Sequence, residues 1–108
     1  MTRGLDLDDA AAGDPQADAR AAAIEAVHAG VLRELIAMHA KVDKGMVCAD
    51  TAAALVYATR KTISNWRHPS CKLAPSKRLG FEKRGRSIVY STREIARWRV
   101  DNLTTVNF

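Results

Sequence analysis

The sequence predicts a mainly α-helical chain carrying one small β-hairpin. Apolar residues recur at alternating spacings of three and four from Ala21 to Val42, which is a helical period. Two later segments each place an isoleucine three positions before a tryptophan, Ile63/Trp66 and Ile95/Trp98. Between them the period drops to two on either side of Lys83-Arg84-Gly85-Arg86, the signature of two strands and a tight turn.

The 108 residues hold one small domain plus an extension. Hydrophobic residues make up 47%, but alanine supplies much of that and aromatics only 6%, so the core is modest. No apolar run approaches the roughly 20 residues needed to cross a bilayer. The opening MTRGLDLDDAAAGDPQADA is acidic and polar, unlike a secretory signal or an Arg-rich transit sequence, and cytoplasmic residence is expected. Cys48 and Cys71 lie far apart, and His28, His39 and His68 do not complete a four-ligand spacing. Neither a metal nor any other cofactor is expected.

Taking the elements in order, residues 1–15 are rich in Asp, Ala and Gly and are expected to be disordered. Residues 16–44 read as an amphipathic helix capped by Asp14, with Pro15 at its first position and Lys44-Gly45 at its end. Its seam runs through Ala21, Ile24, His28, Val31, Leu35, Met38 and Val42, widened by Val27, Leu32 and Ile36. Two packings are open: against its own domain, or against a second copy, where Ile24, Val31, Leu35 and Met38 would form a homodimer seam.

Residues 46–100 form the second unit. Met46-Val47 leads into a short alanine-rich helix with Ala53, Leu55 and Val56 inward. Tyr57-Ala58-Thr59 is a connection of helix-turn-helix length. Thr59 caps a helix that starts at Arg60 and is stopped by Pro69. Ile63 and Trp66 face its core side, while Arg60, Lys61, Ser64 and Arg67 fall opposite, flanked by Asn65. A hairpin follows, alternating at Leu79/Phe81 and at Ile88/Tyr90, with a cationic tip at Lys83, Arg84 and Arg86. Ser91 and Glu94 have capping-box spacing before a last helix, and residues 101–108 form a tail.

Charge divides along the same line. Residues 1–46 hold five Lys/Arg against eight Asp/Glu, and residues 47–108 hold twelve against four. The second part therefore carries +8, suited to a polyanion whose condensed counterions are released on binding. A merely solvated basic surface is the alternative. The sparse, unpaired carboxylates, and the lack of a phosphate-binding glycine loop, argue against an enzyme.

Residues 47–99 resemble the winged helix-turn-helix domain of phage excisionases, MerR-like regulators and helix-turn-helix 17 proteins. The resemblance rests on Ala52-Ala53-Ala54-Leu55-Val56, on Ala58-Thr59-Arg60-Lys61-Thr62-Ile63-Ser64-Asn65-Trp66, on Gly85-Arg86, and on Tyr90, Glu94, Ile95 and Trp98. It implies a winged helix-turn-helix preceded by a long N-terminal helix. It also implies sequence-specific binding of double-stranded DNA, with the 59–67 helix in the major groove and the 83–86 turn in the adjacent minor groove.

Thr59, Arg60, Lys61, Ser64, Asn65 and Arg67 are then the reading residues and Lys83, Arg84 and Arg86 the wing contacts. Lys77, Arg78, Arg93, Arg97 and Arg99 would supply general electrostatics. A transcriptional regulator or a recombination directionality factor is expected, on the nucleoid, of bacterial or mobile-element origin, the latter with an integrase as partner. A DNA-recognition adaptor like a phage terminase small subunit, or a protein-interaction module, is the alternative. Three departures stand out: Tyr57 replaces the turn glycine, Thr51 a frequent glutamate, and the Arg67–Ser76 linker is long.

Overall fold

The structure, a computed structural model, describes residues 15–103. The acidic segment 1–14 with Asp14, and residues 104–108 of the tail, lie outside the described residues. In order come α1 (Pro15–Ala37), β1 (Met46–Cys48), α2 (Ala49–Leu55), α3 (Arg60–Trp66), a 3₁₀ turn (Pro75–Lys77), β2 (Glu82–Arg84), β3 (Ser87–Ser91) and α4 (Thr92–Asn102). The fold is mainly helical around a three-stranded antiparallel sheet of order β1-β3-β2.

The first helix stops at Ala37, short of the expected Lys44. The Ala40 N–H reaches back to the Leu35 carbonyl (3.0 Å) and the His39 N–H to that of Ile36 (3.1 Å), with His39 at φ 53°. That is a Schellman closure, and a histidine occupies the left-handed position usually given to glycine. Lys44 and Gly45 do not end the helix. They are the two positive-φ residues (53° and 75°) of a tight turn in which Asp43 and Met46 exchange both backbone hydrogen bonds.

That turn launches β1, a strand absent from the sequence reading, in which Met46-Val47 led straight into a helix. Three residues are too few for alternation to be visible. Pairing decides: Val47 lies opposite Tyr90, both buried, and β3 becomes the central strand. The hairpin also starts later than expected. Leu79 is buried, but Phe81 is exposed and precedes β2. Gly85, at φ 62°, supplies the first position of its two-residue turn.

α1 packs along α4 within the single chain, the first of the two packings. Val31 and Leu35 are 0% and 2% exposed within the single chain, and Ile24 packs on the same core. The dimer seam assigned to Ile24, Val31 and Leu35 is therefore already covered, and Met38 lies beyond the helix. Exposed apolar residues sit elsewhere, at Leu32, Ile36 (76%), Met38 and Val42. Leu35→Asp is expected to unfold the chain, because a lone buried carboxylate costs more than about 4 kcal/mol. Ile36→Asp, one residue on, should shift stability by less than about 0.5 kcal/mol. Thermal melts of the two variants check this; equal loss would contradict the packing.

Polar contacts fix α4 to the rest. Arg99 is 7% exposed. Its Nε donates to the Leu55 carbonyl (2.9 Å), an orphan acceptor at the end of α2. Its other nitrogens grip Glu34 of α1 at 2.6 and 2.9 Å, and its guanidinium lies 5.1 Å from the Tyr57 ring centre. Arg97 pairs with Glu94 and Asp101 and donates to the carbonyls of Ser76 (2.9 Å) and Arg78 (2.8 Å). Trp98 Nε1 holds the Lys77 carbonyl and Asn102 that of Ser76. The end of the long linker and the two residues after it are thus laced along α4. Arg93 bonds Glu25. Arg97 and Arg99 are thus structural clamps, while the Arg93–Glu25 pair lies exposed on the surface.

Ser91 caps α4 by accepting from the N–H groups of Arg93 and Glu94. The reciprocal half of the capping box is not made. Glu94 turns instead to Arg97 and to the Gly80 N–H (2.6 Å), an approach with little room for a side chain on Gly80.

Candidate nucleic-acid interface

α2 and α3 are joined by a turn that closes like the end of α1. The Ala58 N–H bonds the Ala53 carbonyl (2.9 Å), the Tyr57 N–H that of Ala54 (3.2 Å), and Tyr57 sits at φ 57°. Tyr57 thus keeps the left-handed conformation that glycine would supply, its ring exposed and beneath Arg99. The absence of glycine changes the cost of the turn and not its shape.

Thr59 then caps α3: its Oγ1 accepts from the Thr62 N–H at 3.1 Å and also contacts the Thr62 hydroxyl. Ile63 is 1% exposed, and Trp66, half-buried, stacks on Trp98 with ring centres 5.9 Å apart. Their burial sets the rotation of α3, leaving Arg60, Lys61, Ser64 and Asn65 exposed.

These groups do not all face one way. Arg60, Ser64 and Arg67 of the α3 segment converge with Arg86 of the hairpin turn on one open groove of about 490 Å³, which Cys48, Asp50 and Ser87–Val89 complete. Asn65 lines a different hollow with Thr62, His68 and Cys71. Arg84 lines a neighbouring hollow that shares Cys48, Ser87 and Val89 with the groove, and Asp43 lies 3.6 Å from Arg84. Lys61 and Lys83 are exposed.

Arg67 differs from the other five residues expected to read DNA. Its Nη1 donates to the Tyr90 hydroxyl (2.9 Å) on β3, and the guanidinium lies over Phe81 at 5.8 Å. It ties the end of α3 to the hairpin while still bordering the groove, a positioning role that the sequence did not disclose. His68 closes the next turn through Ser70.

Two groove residues escaped the sequence reading. Asp50, in the first turn of α2, lies 3.6 Å from Arg60. The Cys48 thiol contacts the Thr51 hydroxyl, and hydrogen bonds from Thr51 hold it below the ordinary thiol range. Proximity in the fold, with no sequence spacing, brings both there.

Electrostatics sharpen the division seen in the sequence. Glu25, Glu34, Glu94 and Asp101 are taken up by Arg93, Arg97, Arg99 and Arg20 around α1 and α4. Arg99 hydrogen bonds hold the Glu34 carboxyl below the ordinary carboxylate range. Burial opposes the same shift at Asp101, but its bonds to Arg20 and Arg97 prevail. The cationic surplus is left on α3, the linker and the hairpin.

Among the described residues no three His, Cys, Asp or Glu side chains gather as metal ligands. No described helix is long and apolar enough to cross a membrane. Comparison with family models, curated proteins and solved structures finds no match for the chain.

Proposed function

We propose that this chain is a sequence-specific double-stranded DNA-binding protein built as a winged helix-turn-helix. α3 enters the major groove and the β2–β3 turn reaches the adjacent minor groove. The observation that carries the reading is the groove in which Arg60, Ser64 and Arg67 meet Arg86 above a packed base of Ile63, Trp66 and Trp98.

The chemistry fits duplex DNA. An α-helix is about 10–12 Å across with its side chains, which a major groove roughly 12 Å wide admits. Arginine offers paired donors to guanine and asparagine a matching pair to adenine, while Thr59 and Lys61 suit phosphate oxygens. A narrow minor groove concentrates negative potential, which favours the hairpin arginines. Such a protein regulates transcription or shapes DNA for site-specific recombination, where an integrase would be its partner. A homodimer on a two-fold site would use the exposed Leu32, Ile36, Met38 and Val42, since the inner seam is occupied.

Removing Arg84 and Arg86 together is the test of the hairpin. The double alanine variant is expected to weaken binding to every duplex and to flatten the plot of log K against log salt by up to about 2 units, roughly 0.9 for each phosphate no longer neutralised. Fluorescence anisotropy at several salt concentrations reads both. Unchanged affinity and slope would remove the hairpin from the interface.

A further inference from the structure

We propose that Asp50 is the specificity-determining partner of Arg60, positioning its guanidinium to read a G·C base pair; this rests on the DNA-binding reading above. Asp50 Oδ1 lies 3.6 Å from Arg60 Nη1, and both side chains are 71% exposed in the free chain. An exposed pair of this kind adds little to stability. Its position matters more, because both residues line the groove that Ser64, Arg67 and Arg86 complete.

A carboxylate is out of place on a surface meant only to hold phosphates, since it repels them. Asp50 suits the first turn of α2, where its charge complements the helix dipole, but that role does not require a neighbour on α3. Beside Arg60 it does something further. It approaches one nitrogen of a fork that carries five donors, and guanine needs only two of them. The long, mobile side chain is thereby biased toward one direction before DNA arrives, which lowers the ordering cost of binding.

Once DNA excludes water, the carboxylate is best compensated where Arg60 engages two adjacent acceptors on one base and Asp50 accepts from a cytosine amino group beside them. Both conditions are met by a G·C pair. An A·T pair breaks this pattern: its adenine amino donor sits between the adenine N7 and thymine O4 acceptors, so it offers Arg60 no two adjacent acceptors. Asp43 beside Arg84 is the internal comparison: the same 3.6 Å separation, but in the neighbouring hollow and not in this groove.

The experiment begins with random-site selection using the full chain. Affinities of wild type, Asp50→Asn, Asp50→Glu and Asp43→Asn are then measured on the selected duplex and on duplexes with each G·C pair changed singly to A·T. For wild type, one such position should cost roughly 5- to 150-fold, the range of one bidentate base contact. Asp50→Asn should tighten binding overall while reducing discrimination at that position to a few-fold, and Asp50→Glu should restore part of it. Asp43→Asn should tighten binding to all duplexes by one factor and leave every preference intact. If Asp50→Asn behaves as Asp43→Asn does, the inference fails and DNA binding stands. If wild type selects no sequence, sequence-specific DNA binding itself fails, and the role of Asp50 with it.

Discussion

Arg99→Ala is expected to lower stability by about 2–4 kcal/mol. Removing one partner of a buried ion pair costs roughly 3–5 kcal/mol, and Glu34, whose side chain is 46% exposed, recovers part of that by hydration. The Leu55 carbonyl also loses its donor, and the Tyr57 ring loses its cation. For a domain of this size each kcal/mol moves Tm by about 4–8 °C, so calorimetry should show a fall of at least about 8 °C. Arg99→Lys should fall between, since it keeps the charge but not the fork that spans α1 and the end of α2. A loss below about 1 kcal/mol would show that Arg99 does not clamp these elements.

The same pairs set the acid response. Glu34 and Asp101 titrate in the folded chain below their ordinary values, so each contributes stability that is fully present above its unfolded pKa. That contribution disappears as pH falls through the folded value. Stability should thus hold near neutrality and decline below about pH 4.5, the ordinary glutamate value. Glu34→Gln should flatten the decline.

Arg60→Ala combined with Ser64→Ala is expected to weaken sequence preference sharply while leaving salt-dependent binding to any duplex. Each good bidentate base contact discriminates by about 1–3 kcal/mol, so losing the one from Arg60 lowers the specific-to-nonspecific ratio by roughly 5- to 150-fold. The remaining cations Lys61, Arg67, Lys83, Arg84 and Arg86 still neutralise phosphates. Competition between the selected and a scrambled duplex reads the ratio. Neither residue is buried, so the melt should be unaffected beyond the helix termini. An unchanged ratio would move base reading away from α3.

Much of this architecture was legible in the sequence, for reasons that differ by element. Ile63/Trp66 and Ile95/Trp98 fix α3 and α4 because a buried pair three residues apart admits one rotation of a helix. Thr59 and Ser91 mark helix starts because their hydroxyls satisfy orphan N–H groups nearby. Gly85 marks the hairpin turn because its φ is positive.

What was hidden depends on distant partners. The left-handed positions of His39, Lys44 and Tyr57 carry no glycine to announce them. β1 is a strand only because β3 lies beside it. Arg99 and Arg67 look like surface cations until Glu34, Leu55 and Tyr90 are placed against them. The face of α1 was periodic enough to bury, but periodicity does not say against what. α4 answers that.

One surface carries the proposed function, where α3 and the β2–β3 turn together meet duplex DNA. The most direct measurement is the affinity of the full chain for its best selected duplex between 50 and 200 mM salt. Four or five phosphate contacts from the cations there predict a linear fall in log K against log salt with a slope of about −4, together with a preference over scrambled sequence. Affinity that ignores salt, or no binding to any duplex, would contradict DNA recognition by this surface.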